Sequence, residues 1–593
     1  MRHVFSICLV ILTISCSKKI KKELSSERKP NIILIMSDDQ GWGDLSYSGN
    51  TNLSTPNIDT LGKNGVSFEH FYVQPVCSPT RAELLTGRYA ARIGVYSTSA
   101  GGERFNLGET TIAEIFKKAG YNTAAYGKWH NGMQPPYHPN ARGFDDYYGF
   151  ASGHWGNYFS PMLEHNGAIV KGNGFLVDDL TDHGLAFIEK NKNEPFFLYL
   201  PFNTPHSPMQ VPDGFWGPFE NKDLQMKYQG SEEESVNFTK AALAMVENID
   251  WNVGRITDTL KKLGLEEHTI VIYLSDNGPN GWRWNGGMRG KKGSTDEGGV
   301  RTPFFVQWKN HIPKGKSVND IAGAIDILPT LASLASIDYQ TEYPIDGMDL
   351  KPLLLDASPS WGPRTIINHW QGKTSIRTQK YRLDDKNRLY DMTNDIGQKN
   401  NVAATMPRLL DSLVVIKNNW ETQLNGSIVQ KGERPITLGH PNFTYTQIPA
   451  RDGIPHGTIA RSNQWPNCSF FTHWTSVDDK ITWDVEVLAD GKFEVELYYT
   501  CPKESIGTTL ELNFGDSALS SLINKAHNPP LMGMEHDRDP RMESYVKDFI
   551  PIKLGTIDLK KGRGALTLKA LEIKGKQAPE IRLLQFRRIH DNQ

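Results

Sequence analysis

The sequence predicts two folded parts: an α/β domain with a mostly parallel sheet sandwiched by helices, then a smaller all-β sandwich. Three observations predict it. The chain has 593 residues, more than one hydrophobic core organises, so a large domain and a smaller companion are expected. Over residues 30–425 short apolar runs alternate with segments of helical period, the pattern of strands covered by helices. Over residues 444–593 the hydrophobic period becomes two, as in strands with one buried face.

The elements follow in chain order. Residues 1–16, MRHVFSICLVILTISC, have a short basic start and an apolar run from Val4 to Ile14, which reads as an export signal and is too short for a membrane span. Cys16 directly after that run resembles the acylated Cys of the bacterial lipobox, with Thr13 where Leu is usual; ordinary signal-peptide cleavage is the alternative. The expectation is an exported protein, periplasmic or lipid-anchored to a bacterial membrane, that meets the membrane only through that anchor. Residues 17–29 are charged and low in apolar side chains, the composition of a solvated tether. Lys and Arg total 65 against 67 Asp and Glu, and no RNA-binding motif appears, so nucleic acid is excluded as an expected partner.

Within residues 30–425 the predicted strands are NIILIMS, NTAAY, EPFFLYL, TIVIYLS and TPFFVQW. A helix is predicted over residues 237–263, where Ala244, Val246 and Val253 recur among charges, and another on DILPTLASLA. Residues 426–443, rich in Gly, Pro, Asn and Thr, read as a linker. Beyond them KITWDVEV and KFEVELYY alternate on either side of an ADG turn, and further strands are predicted at 510–514, 566–570 and 581–586. The sandwich resembles carbohydrate-binding modules, while the plainer reading is a domain that braces the first. Cys468 and Cys501 are candidates for pairing in an oxidising compartment, which sequence alone does not decide.

Ligands of open α/β sheets bind outside the carboxyl ends of the strands. Asp38 and Asp39 follow the first run; Lys128 and His130 follow the second; Asn203 and His206 follow the third; Asp276 and Asn277 follow the fourth. Each alone is a cap, a turn or a solvated side chain. Together, Asp38, Asp39, Asp276 and Asn277 form an all-oxygen donor set for a hard cation, Ca²⁺ or Mg²⁺. Lys128, His130 and His206 add positive charge and exchangeable protons, which suits an oxyanion ester, phosphate or sulfate. MRGKKGSTDEGGVR contributes Arg289, Lys291, Lys292 and Arg301. Cys77, in PVCSPTRAELLTGR, falls at a predicted helix N-terminus, where an anion is favoured and a thiol is reactive.

These residues carry a resemblance. CSPTRAELLTGR is similar to the sulfatase signature, and GYNTAAYGKWHNG to the second sulfatase signature, with Asn131 where Leu is usual. TPH at 204–206, MRGKKGSTDEGG with Met288 and Asp296 as departures, DGMDLKPLL and NRLYDMTNDIGQKNNVA extend the likeness over residues 30–425. The resemblance implies an alkaline-phosphatase-like fold and sulfuric ester hydrolysis. It implies that a formylglycine-generating maturation enzyme reads Cys77, Pro79 and Arg81 and oxidises Cys77 to formylglycine (3-oxoalanine). One hydroxyl of the hydrated aldehyde then attacks sulfur, and the other expels sulfate as the aldehyde reforms, covalent catalysis in two steps.

By position, Asp38, Asp39, Asp276 and Asn277 resemble the Ca²⁺ ligands, completed by the modified Cys77. Arg81 and Lys128 resemble the residues that steady the hydrate, His130 the base of the second step, and His206 with Lys292 the pair near the leaving oxygen. Lys292 is preferred to Lys291 because it keeps the family's spacing to Glu297. For substrate, His154, Trp155 and Asn157 in GHWGNY, and Trp282, Arg283 and Trp284 in GWRW, are candidates to stack on a sugar and grip a second anionic group, with core packing as the alternative for the tryptophans. The expected substrate is a sulfated carbohydrate, with galactose-type sugars favoured. The alternatives are a phosphomonoester or phosphonate hydrolase on the same fold and a non-catalytic glycan-binding protein.

Overall fold

The run NIILIMS forms the strand Asn31–Ser37, buried along its whole length. Its residues alternate between two hydrophobic clusters: Ile32, Leu34 and Met36 join one, Ile33 and Ile35 the other. A strand covered on both faces has no polar side, which is why its sequence is apolar without alternation. In the computed structural model, which describes residues 28–356, 359, 361–424 and 434–590, this strand lies inside a ten-stranded sheet. The order is Lys316–Val318, Val66–Phe68, Phe304–Gln307, Thr269–Ser275, Asn31–Ser37, Phe196–Pro201, Asn122–Lys128, Asp146–Phe150, Met162–His165, Ala168–Lys171. The four neighbours from Thr269–Ser275 to Asn122–Lys128 are mutually parallel, so their carboxyl ends open on one edge. Antiparallel pairing enters at Phe304–Gln307 and at the hairpin Met162–Lys171.

Helices cover both faces. The predicted long helix spans Val236–Lys262; Ser235 caps it by accepting from the Phe238 amide, and Lys261 and Lys262 sit at its negative end. DILPTLASLA yields the helix Ile327–Leu334. Two smaller sheets were not predicted. One is antiparallel, ordered Thr365–Trp370, Lys373–Thr378, Tyr381–Leu383, Leu389–Asp391, with the helix Pro407–Leu424 packed on it. Its last two strands have three residues each, too few to display a period.

Beyond it lie two six-stranded sheets. Ile481, Trp483, Val485 and Val487 from one, and Phe493, Val495, Leu497 and Tyr499 from the other, share a single hydrophobic cluster, the alternation read from the sequence. The strand Ile436–Leu438 pairs in parallel with Lys480–Val487, so part of the segment read as linker belongs to this sandwich. Three strand residues among glycines and prolines leave no periodic signal. Cys468 and Cys501 are separate buried thiols, not a disulfide, and burial pushes both up to about 11. The export signal with Cys16, nearly all of the tether, and residues 425–433 lie outside the described residues. Among the described residues no helix is long and apolar enough to cross a membrane.

Candidate active site

The four parallel strands deliver the residues at their carboxyl ends to one place. Backbone bonds lock the exits together: the Asp38 amide donates to the Thr204 carbonyl at 3.0 Å, and the Asp276 amide to the Ser37 carbonyl at 3.2 Å. Cys77 is the first residue of the helix Cys77–Thr86, every residue of which is buried, and Arg81 lies one turn further along it. The ligand atoms of Asp38, Cys77 and Asp276 all lie within 4.8 Å of one another, as do those of Asp38, Asp39 and His206. Asp39 and His130 hold φ of 68° and 64°, a left-handed backbone uncommon outside glycine and concentrated at functional sites.

Charge is matched side chain by side chain. Arg81 donates through Nε and Nη2 to Asp276 Oδ2 at 3.1 and 2.7 Å, and through Nη1 to the Lys128 carbonyl at 2.8 Å. Lys128 Nζ donates to Asp38 Oδ2 at 2.6 Å. Lys292 Nζ lies 2.7 Å from Asp39 Oδ1, and His206 Nε2 3.6 Å from Asp39 Oδ2. It is therefore Lys292, not Lys291, that reaches the cluster. Burial, opposed by Lys128, pushes Asp38 up to about 6. Burial and then the neighbouring Asp38 do the same to Asp276, also to about 6, against Arg81. Burial would raise Asp39 too, but Lys292, His206 and Lys128 outweigh it and hold its carboxyl far below the usual range.

The histidines have defined tautomers. His130 Nε2 lies 2.8 Å from the Thr98 carbonyl and so donates to it, which leaves the buried Nδ1, without any partner, as the open acceptor. Burial and then Lys128 press the His130 pKa well below that of free histidine, so the ring is neutral and able to take a proton. His206 donates from Nδ1 to the Ser207 carbonyl at 2.6 Å; burial and Lys292 lower it to about 4. Lys292 is the charged member of that pair, since Asp39 outweighs burial and keeps its ammonium protonated.

The donor set fits a hard divalent cation. Asp38 Oδ1 and Asn277 Oδ1 are buried with no hydrogen-bond partner, while the Asn277 amide is spent on Asp39 Oδ1 at 2.8 Å and on the Gly278 carbonyl at 2.9 Å. Orphaned buried oxygens beside crowded carboxylates are what such an ion satisfies; among the described residues, the non-oxygen ligand atoms clustered with them are the Cys77 sulfur and a His206 ring nitrogen.

The substrate-binding candidates divide. His154 is buried beside the cluster, its ring 6.0 Å from that of His206 and nearly parallel to it, with burial and His206 lowering its pKa far below the usual value. Trp282 is half-buried, stacked on Tyr228 at 4.8 Å. Trp155 does not face the cluster: it stacks on Phe150 at 5.1 Å and lies under Arg582 of the sandwich, a packing role. Arg283 is corrected as well. Its guanidinium is buried and largely consumed by Asp44 at 2.6 Å, the Asp39 carbonyl at 3.0 Å and the Asn280 carbonyl at 2.7 Å, which neutralises its charge and leaves a single Nη1 hydrogen rather than the fork a bidentate grip needs.

The sandwich reaches into this neighbourhood, which the sequence did not reveal. Asn467 Nδ2 lies 3.1 Å from His154 Nδ1. Arg451 pairs with the buried Glu103 at 2.7 Å and donates to Ser152 Oγ at 2.9 Å. Gly153 passes so close that a Cβ there would meet His130 Nε2 at 2.5 Å and Asn467 Nδ2 at 2.8 Å. Glu543 accepts from Ser207 Oγ, next to His206. These contacts join residues about 300 positions apart, and no local spacing encodes them.

Comparison with known proteins agrees with this geometry. A sulfatase family model matches residues 30–337. N-acetylgalactosamine-6-sulfatase of Mus musculus is 33% identical over 381 residues, 58% of this chain and 69% of its own length. Arylsulfatase A of Homo sapiens is 30% identical over 510 residues, 71% of this chain and 95% of its own. The solved structure of Ps i-CgsB in complex with k-i-k-neocarrahexaose is 32% identical with a TM-score of 0.60, covering 68% of this chain and 94% of that one. With a family model over more than half its length and relatives at this identity, the chain belongs to the sulfatase family: it is a sulfuric ester hydrolase on an alkaline-phosphatase-like fold.

Proposed function

We propose that this enzyme removes sulfate from a sulfated carbohydrate, with residue 77 matured to formylglycine and Ca²⁺ held by Asp38, Asp39, Asp276 and Asn277. The observation that carries the reading is the meeting of Cys77, at a buried helix N-terminus, with Asp38 and Asp276 inside one cluster of ligand atoms. Formylglycine hydrate supplies two hydroxyls on one carbon, and Ca²⁺ supplies a charge that polarises oxygen. Ca²⁺ is preferred to Mg²⁺ because four side chains offer oxygen, whereas Mg²⁺ is usually held through one or two carboxylates and keeps several waters.

The chain's own residues then have separate tasks. Arg81 and Lys128 fix the carboxylates and present positive charge beside residue 77. His130 receives a proton at Nδ1, the one ring nitrogen without a partner. Lys292 holds negative charge at the leaving oxygen, and His206 Nε2 carries the proton that the departing alkoxide takes, its affinity raised once an anionic ester is bound. The relatives support a carbohydrate substrate by name: one acts on N-acetylgalactosamine 6-sulfate and another is held with a neocarrahexaose. A formylglycine-generating maturation enzyme is the partner implied by Cys77, Pro79 and Arg81. Export, with acylation at Cys16, belongs to the same proposal and is tested by palmitate labelling lost in Cys16→Ala.

The test has two arms. Mass spectrometry of the peptide around residue 77, from active protein made in a competent host, should show the aldehyde; an intact thiol in fully active protein overturns the nucleophile. Sulfate release from a panel of sulfated mono- and oligosaccharides should exceed phosphate release from the matched phosphate esters. A large phosphate preference returns the choice to a phosphoester hydrolase.

A further inference from the structure

Asp44 neutralises Arg283, which was expected to take a second anion, but a neighbouring lysine has no such pairing. A cavity of about 240 Å³ lies beside the chain segments that carry His206 and Lys292. Ser207 and Lys291, each one residue from those two, line it, with Trp282 beside them. Its facing wall is Pro540–Glu543, from the sandwich loop between the strands Ser517–Leu522 and Ile550–Leu559. Catalytic domain and sandwich thus enclose one space.

Lys291 and Glu543 have unused capacity in this cavity, whose lining also holds the exposed Glu233. The Lys291 ammonium is held 4.9 Å from the Trp282 ring centroid, and that ring is backed by Tyr228. Lys291 is half-buried, yet among the described residues it has no ion-pair partner, an arrangement that an incoming anion would complete. Across the cavity, Glu543 takes the Ser207 hydroxyl on Oε1, while its buried Oε2 has no hydrogen-bond partner. A fixed cation on one wall and an unpartnered, buried carboxylate oxygen on the other complement a ring that bears both an anionic substituent and hydroxyl donors.

We propose that this cavity is a subsite for a second anionic group on the sugar substrate, with Lys291 binding that sulfate or carboxylate and Glu543 accepting hydroxyl hydrogen bonds. The sandwich thereby becomes a determinant of specificity rather than a brace. The inference rests on the carbohydrate reading above and narrows it to sugars with a second negative charge. Atoms that contact the reacting ester are not involved; both residues act on binding.

Sulfate release by the mature, calcium-loaded enzyme tests this on monosulfated galactose, N-acetylgalactosamine and glucosamine. Each is compared with its disulfated form and with a monosulfated form linked to a uronic acid; 4-nitrophenyl sulfate is the reference without a sugar. For at least one sugar the second anion should lower KM about tenfold, the size of one charge-assisted hydrogen bond. Lys291→Met should erase that advantage in KM with a smaller change in kcat, and Lys291→Arg should keep most of it. Glu543→Gln should raise KM for the sugars relative to 4-nitrophenyl sulfate. The disulfated and uronic series tell sulfate from carboxylate. Sugars that are hydrolysed with no second-anion advantage, or an advantage that survives Lys291→Met, overturn this inference alone. Turnover of 4-nitrophenyl sulfate with none of any sugar overturns the carbohydrate reading and this inference with it.

Discussion

Glu297→Gln removes one buried charge and turns one of the two acceptor oxygens into a donor. Glu297 follows the loop that carries Lys291 and Lys292 and is 1% exposed. Tyr72 donates to its Oε1 at 2.8 Å, Arg382 donates to Oε2 at 2.9 and 3.2 Å, and Arg377 and Arg301 stand at 3.5 and 3.9 Å. Burial alone would raise its pKa, but Arg377, Arg382 and Arg301 dominate and lower it from 4.5 to about 2. At about 1.4 kcal/mol for each tenfold step, that gap corresponds to about 3 kcal/mol of stability at pH 7. A depressed carboxylate stabilises fully above its unfolded pKa and loses that contribution as pH falls toward the folded value. The contribution is thus complete above about pH 5, less than half of that at pH 3, and gone below about pH 2. Glutamine keeps the shape and has no such dependence.

Urea unfolding followed by tryptophan fluorescence, at pH 7 and at pH 3, measures the difference between the two proteins. The variant should be less stable by about 3 kcal/mol at pH 7 and by less than half of that at pH 3. Hydrogen exchange at residues 289–296 should quicken in step, because Arg382 also holds the Thr295 carbonyl at 2.8 Å and ties the loop to the same network. A stability gap equal at both pH values refutes the charge argument and leaves only lost hydrogen-bond geometry.

Three further outcomes are expected. Cys77→Ala should abolish turnover while far-ultraviolet circular dichroism and the melting temperature stay near those of the parent, because a methyl replaces a thiol at a helix start; retained activity would exclude residue 77 as the nucleophile's source. Extensive treatment with a calcium chelator should inactivate the enzyme and lower its melting temperature, as like-charged carboxylates lose their counter-ion, and added Ca²⁺ should restore both; activity indifferent to chelation removes the ligand assignment. Arg451→Met should cost about 3–5 kcal/mol, since it strands the buried Glu103, and differential scanning calorimetry that finds no loss would show the pair to be solvated.

The parts that were legible in the sequence share a physical cause. A strand buried on both faces announces itself as an apolar run, and in a parallel sheet the residues just past the end of each run must gather on one edge. Asp38, Asp39, Lys128, His130, His206, Asp276 and Asn277 were therefore readable as a group from position alone. Lys292 followed from the spacing to Glu297 that the family resemblance implies, and Arg382 ties Glu297 to the Thr295 carbonyl of the same loop. Contacts that depend on domain packing were not legible. Trp155 and Arg283 have the residue types of a sugar site, but Arg582 and Asp44, both remote in sequence, claim them. Asn467 and Glu543 carry no motif at all, and only docking of the sandwich brings them to His154 and Ser207. Residue type tells what a side chain can do; its partners decide whether it is free to do it.

Partners also set the balance of charge at the centre. Asp38, Asp39 and Asp276 face Arg81, Lys128 and Lys292, three against three, so the protein alone leaves the cluster close to neutral. Yet the balance is uneven in space. Asp39 is held ionised by Lys292 and His206, whereas burial and mutual repulsion press protons toward Asp38 and Asp276. A divalent cation between those carboxylates would remove that pressure and leave about two net positive charges in a buried pocket. An anionic ester is the natural complement to such a pocket, and the low dielectric that makes the carboxylates costly to crowd also makes that attraction strong.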